Sequence, residues 1–144
     1  MAQVDFHSGV VAPVYFACRL LRKAWRQGAQ LLVGAPASML NALDRELWTF
    51  EAHEFVPHRR VQPGQEVDAV IRRTPIWLCE GAPAQPVPKI WVNLGADLPA
   101  CIEVFERIIE VVPTEDEARR RARERWRTYE ARGWIIRHHP QAPG

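Results

Sequence analysis

The chain has 144 residues, 47% hydrophobic and 25% charged, which excludes a disordered polar chain and leaves room for one domain with a real core but not two. Nineteen Lys and Arg against 17 Asp and Glu give a formal net charge of +2, small for a protein that coats nucleic acid. The charge is unevenly spread: residues 1–113 hold 11 basic and 12 acidic groups and residues 114–144 hold 8 and 5, so the basic excess sits in the final stretch.

Residues 3–7 alternate as a short strand. Pro13 then suits the first turn of a helix whose Val14, Ala17, Cys18, Leu21, Ala24 and Trp25 fall at helical spacing, with Gly28 as its stop. A second strand, residues 30–33, follows, and after Gly34 and Pro36 a second helix carries Leu40, Leu43 and Leu47 on one stripe. Residues 59–75 lack clear periodicity and contain Pro63-Gly64, which reads as a loop or an edge excursion. Residues 75–80 and 89–94 read as strands. The connection between them, 81–88, is too short for a parallel crossover, so they are expected to pair antiparallel or lie apart, giving a mixed sheet.

Asp97 and Pro99 predict a helix from 97 through Glu110 with Ile102, Phe105 and Ile109 inward, broken by Pro113. Thr114 and Glu117 form a capping-box pattern for a last helix from Glu115 to about Arg132, stopped by Gly133. Residues 134–137 suit a closing strand and 140–144 a frayed tail. The expectation is a single three-layer Rossmann-like α/β domain over 1–139, with a mixed, mostly parallel sheet flanked by helices.

Cys18, Cys79 and Cys101 are odd in number and sit in apolar runs, the pattern of buried thiols in a reduced compartment. With no membrane-length apolar run and no signal-peptide pattern, a cytoplasmic protein is expected. Neither Gly-x-Gly-x-x-Gly nor a phosphate loop occurs, and the turn after the second strand reads Gly34-Ala35-Pro36. This speaks against a nucleotide hydrolase on the same scaffold. His53-Glu54-Phe55-Val56-Pro57-His58 has its histidines five apart with a proline between, so it lacks zinc-protease geometry. The His138-His139 pair reads as solvated. No metal, cofactor or catalytic residue is expected, and a binding module is the better reading.

Two features suit binding. On the last helix, Ala118, Ala122, Trp126 and Tyr129 make a narrow apolar face, and Arg119, Arg123 and Arg127 make the stripe beside it. Such a stripe fits an acidic peptide ending in an apolar side chain. It equally fits a phosphate backbone with Trp126 stacked on a base, which would mean direct, nonspecific single-stranded DNA binding. A merely solvated face, offset by Glu115, Asp116, Glu124 and Glu130, is the third reading. The second feature is Trp48, at the margin of the Leu40/Leu43/Leu47 helix and close to Phe55 and Pro57. It is either an interface anchor or a residue packed under the Phe55 loop.

Several of these residues fall in a recognisable order: Val4-Asp5-Phe6, Ala24-Trp25-Arg26-Gln27-Gly28, Leu43-Asp44-x-x-Leu47-Trp48, Phe55-Val56-Pro57-His58, Val112-Pro113 and Ala122-Arg123-Glu124-Arg125-Trp126-x-x-Tyr129-x-x-x-Gly133. The sequence resembles the chi subunits of bacterial DNA polymerase III over nearly its whole length, departing from the pattern at 59–75 and 81–88. The resemblance implies a non-catalytic replication adaptor that binds the acidic, Phe-ending tail of single-stranded DNA-binding protein through Val112, Arg119, Arg123, Trp126 and Arg127. Arg and Trp here replace the Lys and Tyr of better-known members, keeping the charge and the aromatic wall. The resemblance further implies that Trp48, Phe55 and Pro57 hold the psi subunit or a competing XPD-like helicase. A monomer that forms hetero-complexes, touching DNA mainly through its partner, is the corresponding expectation.

Overall fold

A computed structural model describes residues 2–49 and 55–141. The first half follows the sequence pattern closely. Strand β1 (Gln3–Val10) leads into α1 (Pro13–Arg26), with proline in its first turn and Ala17, Cys18 and Leu21 buried; β2 (Leu31–Gly34) and α2 (Ala37–Thr49), burying Leu40, Leu43 and Leu47, come next. The irregular stretch that follows holds a short edge strand, β3 (His58–Arg60), and a one-turn helix, α3 (Ala69–Arg73), capped by Asp68 Oδ1, which accepts from the Ile71 N–H at 2.8 Å. Then come β4 (Ile76–Cys79), β5 (Ile90–Asn93), a 3-10 turn (Ile102–Val104), β6 (Arg107–Pro113), α4 (Asp116–Ala131) and β7 (Ile135–Pro140).

The seven strands form one sheet in the order β3-β4-β2-β5-β6-β1-β7. Every pairing is parallel, so the expected mixed sheet is corrected to an all-parallel one. Strands β4 and β5 do lie apart, each pairing with β2 between them. Their helix-free connection covers the sheet with its own apolar groups, since Pro83, Val87 and Pro88 are buried.

The sequence also misleads at 97–110, where a helix is expected and the 3-10 turn and β6 stand instead. Residues 108–112 are buried one after another, as befits a central strand covered on both faces. A run of β-branched residues broken only by Glu110, and buried throughout, has no period of two to betray it. Pro113 therefore ends a strand. At the start of α4 the N-cap position is Glu115, without a side-chain cap bond, in place of the Thr114 capping box; Glu117 is instead engaged by Arg120 at 2.6 Å. Gly133 (φ +73°) does close the helix, in a backbone conformation other residues adopt at a cost. Of the expected tail, Pro140 belongs to β7 and the Gln141 N–H donates to the Ser8 carbonyl at 2.9 Å, while 142–144 lie outside the described residues.

Alternate strand residues face two cores, making three layers. Leu31, Val33, Ile76, Leu78 and Val92 meet α1 and α2. Leu32, Trp77, Trp91, Phe105 and Ile108 face the side covered by Ala122 and Tyr129 of α4. Gly34 permits a close approach here, because a Cβ at that position would lie 2.7 Å from Trp91 Nε1. Cys18 and Cys79 are buried and Cys101 half-buried. Among the described residues no helix is long and apolar enough to cross a membrane.

Candidate peptide-binding cleft

Helix α4 is fixed to the sheet by a buried polar cluster. Glu110 of β6 is fully buried and accepts from Arg125 Nε and Nη2, both at 2.9 Å, from the Tyr129 hydroxyl at 2.6 Å, and from Asn93 Nδ2 at 3.1 Å. A buried carboxylate requires this full set of donors. Burial, reinforced by the neighbouring Glu110, pushes the Tyr129 phenol well above its ordinary range, so it remains a donor. Burial works against the charge on Arg125, but Glu110 outweighs it and raises that pKa. Arg125 and Glu110 were not singled out by the sequence reasoning, although Arg125 sits three residues from Ala122 and four from Tyr129 on the inward stripe, and Glu110 interrupts an apolar run.

With α4 so anchored, its neighbouring face opens on a cleft of about 650 Å³ against β1 and β7. All five residues of the predicted tail site, Val112, Arg119, Arg123, Trp126 and Arg127, line it. Trp126 is half-buried and meets Phe6 edge to face at 4.9 Å and His138 at 5.7 Å. Phe6 and His138 share this wall because β1 and β7 pair them directly, a long-range pairing that single-sequence periodicity does not reveal. Ser8 Oγ and His138 Nε2 hydrogen bond at 2.7 Å.

The rim is cationic. Arg119 lies 3.6 Å from Asp116, whereas Arg123 and Arg127 make no ion pair among the described residues. Glu130 adds one carboxylate to the lining and lies 3.4 Å from Trp126 Nε1. An apolar floor beneath a rim of guanidinium groups, two of them without an ion pair among the described residues, suits a ligand with a hydrophobic end and negative charge.

The second predicted region is divided. Trp48 and Phe55, 62% and 45% exposed, stack at 4.7 Å, and beneath them His58 bonds Asp44 Oδ1 and the Val56 carbonyl at 2.8 and 2.7 Å. Pro57 turns away into a separate hollow with Trp25 and Val70. Trp48 therefore does contact Phe55, and the pair still presents a large apolar surface. Residues His53 and Glu54 lie outside the described residues; among those described, no group of three or more His, Cys, Asp or Glu is placed to hold a metal.

Fold and cleft together define a Rossmann-like α/β domain with a cation-rimmed groove beside its last helix. Residues 1–137 match the family described as DNA polymerase III chi subunit, HolC. Relatives named DNA polymerase III subunit chi include one from Pseudomonas aeruginosa, 31% identical over 144 residues (96% of each chain). A Haemophilus influenzae relative is 30% identical over 83% of this chain and 81% of its own, and an Escherichia coli relative 25% identical over 89% and 85%. The chain belongs to the DNA polymerase III chi subunit family, which places it in DNA replication.

Proposed function

We propose that this chain is a non-catalytic, cytoplasmic adaptor of the polymerase III assembly, acting as a single domain over 1–139. Its α4 cleft binds the acidic tail of single-stranded DNA-binding protein. One observation carries the reading: five residues spread from Val112 to Arg127 converge on a single cleft that is apolar within and cationic at its rim. A terminal Phe seats against Trp126 and Phe6, and the tail carboxylates meet Arg119, Arg123 and Arg127. The exposed Trp48/Phe55 stack is the anchor for the second partner, the psi subunit or an XPD-like helicase.

The mechanism is tethering. Coated single strands present many copies of one tail, so even a weak grip becomes effective once the other face is attached to the polymerase complex. The Coulombic part of the grip weakens with salt, and the contact of the terminal ring does not.

Fluorescence anisotropy with a labelled acidic peptide ending in Phe tests the cleft. Arg123→Ala, and separately deletion of the terminal Phe, are each expected to weaken binding by roughly tenfold or more. Unchanged affinity in both would overturn the assignment. For the second partner, a pull-down with Trp48→Ala should lose psi or the helicase while retaining the tail peptide.

A further inference from the structure

Between Phe6 and Leu43 the chain contains no Asp or Glu. Within that stretch α1 carries Arg19, Arg22, Lys23 and Arg26, spaced to fall within an arc of about 100° on the helix. Together with Arg107 of β6 they line a groove of about 830 Å³ on the face of the sheet opposite α4. No carboxylate lines that groove among the described residues. Asp5, on the same face, is buried and already held by Arg107 Nε at 3.1 Å and His139 Nε2 at 3.0 Å.

The groove also has an aromatic wall. Phe16 meets His7 at 5.2 Å, and His7 stacks on His139 at 4.7 Å with 20° between planes. His7 Nδ1 is buried yet has no hydrogen-bond partner among the described residues. A row of cations beside rings and an unsatisfied polar atom is the arrangement that single strands use, phosphates on the charges and bases on the rings.

We propose that this groove binds single-stranded nucleic acid, with phosphates on the α1 cations and Arg107 and a base against Phe16. Four of the five cations are Arg, whose planar fork suits phosphate oxygens. Gln141 lines both this groove and the α4 cleft, so the two meet around edge strand β7. A strand in one and a protein tail in the other would lie on opposite faces of one sheet. The proposal stands whether or not the cleft binds that tail.

The test is anisotropy of a labelled oligothymidine of roughly 20 nucleotides with the full-length chain over a salt series. The combined variant Arg19→Ala, Lys23→Ala, Arg26→Ala removes three exposed charges. It is expected to lower affinity about tenfold or more and to flatten the log K against log salt slope by about 2, at ~0.7 per phosphate contact on single strands. Phe16→Leu should weaken binding several-fold with the slope unchanged, and Arg123→Ala should leave it unaltered. The proposal is overturned if the native chain fails to bind oligothymidine at low salt, or if the triple variant, with an unchanged melting temperature, binds as well as the native chain. It is equally overturned if polyglutamate competes as well as oligothymidine and Phe16→Leu has no effect, for the groove would then be an acidic-peptide site.

Discussion

Helices α1 and α4 are both rich in arginine, and they set it among different neighbours along the helix. Between Asp116 and Ala131, α4 carries six Arg with four acidic residues. Arg125 is buried on Glu110, Arg120 bridges Glu117 and Glu124, and Arg121 reaches Asp97. Much of the charge on α4 is therefore spent within the protein, leaving Arg123 and Arg127 for a ligand. Helix α1 has four cations and no carboxylate at all. Its inward face is apolar to the extent that burial, with the Glu46 carboxylate adding to it, pushes the Cys18 thiol up to about 12. The segment sums conceal this: four positive charges on α1 disappear inside the near-neutral total for residues 1–113. What matters for binding is which cations line a groove that a ligand can enter.

The sharpest way to break the comparison is to remove the buried anchor that only α4 possesses. Arg125→Ala leaves Glu110, which is 0% exposed, without its cation. The expected loss is about 3–5 kcal/mol of stability, read from urea denaturation. Replacing Arg19, Lys23 and Arg26 together should shift the same midpoint by far less, since all three are exposed. A loss under about 1 kcal/mol for Arg125→Ala would mean that the ion pair adds little to the apolar contacts and the Tyr129–Glu110 hydrogen bond that also hold α4.

Within the cleft, Trp126→Ala is expected to cost about 2 kcal/mol of peptide affinity, measured by calorimetry, because the ring supplies the wall facing Phe6. Trp126→Tyr should restore most of it. Oligothymidine binding should not respond to either change, which would separate the α4 face from the α1 face directly.

How much of this could be read from the sequence differs between the same regions. The β1–α1–β2–α2 half was legible because Pro13, Gly28 and the Leu40/Leu43/Leu47 stripe are local signals, each decided within one or two turns of chain. Strand β6 was not, since Ile102, Phe105 and Ile109 mimic helical spacing while burial on both faces removes any alternation. The cleft was half legible. Its α4 residues share one helix face, but Phe6 and His138 meet only through the pairing of the first and last strands. The Glu110–Arg125 pair lay concealed for a related reason: its members are 15 residues apart on different elements, and each alone looks like surface charge. The α1 cations share one helix face, a local signal that the apolar stripe of the same helix overshadowed, and the sheet-borne members, His7 and Arg107, join them only in three dimensions.

The α1 face responds to acid. His7 on the α1 side has its pKa held below the ordinary 6.5, first by burial and then by the charge of His139, with Arg107 adding to the effect and Asp5 opposing it. Just below pH 6.5 the unfolded chain therefore binds a proton at this position that the folded chain does not, and stability falls as pH drops through that window. Asp5 acts at lower pH. Burial would raise its pKa, but hydrogen bonds from His139 and Arg107 bring it below 3.8, so its contribution is full above that value and lost as pH falls through the folded one. Denaturation midpoints are expected to decline between about pH 7.5 and 5.5, and His7→Phe should reduce the decline. An identical decline in the variant would remove His7 from the account.

The smallest expected effect is the most discriminating for the opening contrast. Arg120 neighbours Arg119 on α4 and counts equally in any charge sum, yet it bonds Glu117 at 2.6 Å and Glu124 at 2.8 Å and does not line the cleft. Those two bonds raise its pKa and Arg120 in turn lowers that of Glu117, but all of these side chains are more than half exposed, where solvent screens such pairs. Arg120→Ala should leave both the melting temperature and the peptide affinity unchanged within error, whereas Arg123→Ala changes the affinity. If the two variants weakened the peptide equally, binding on α4 would depend on summed charge rather than on the cations that line the cleft, and the distinction from α1 would collapse to one of number.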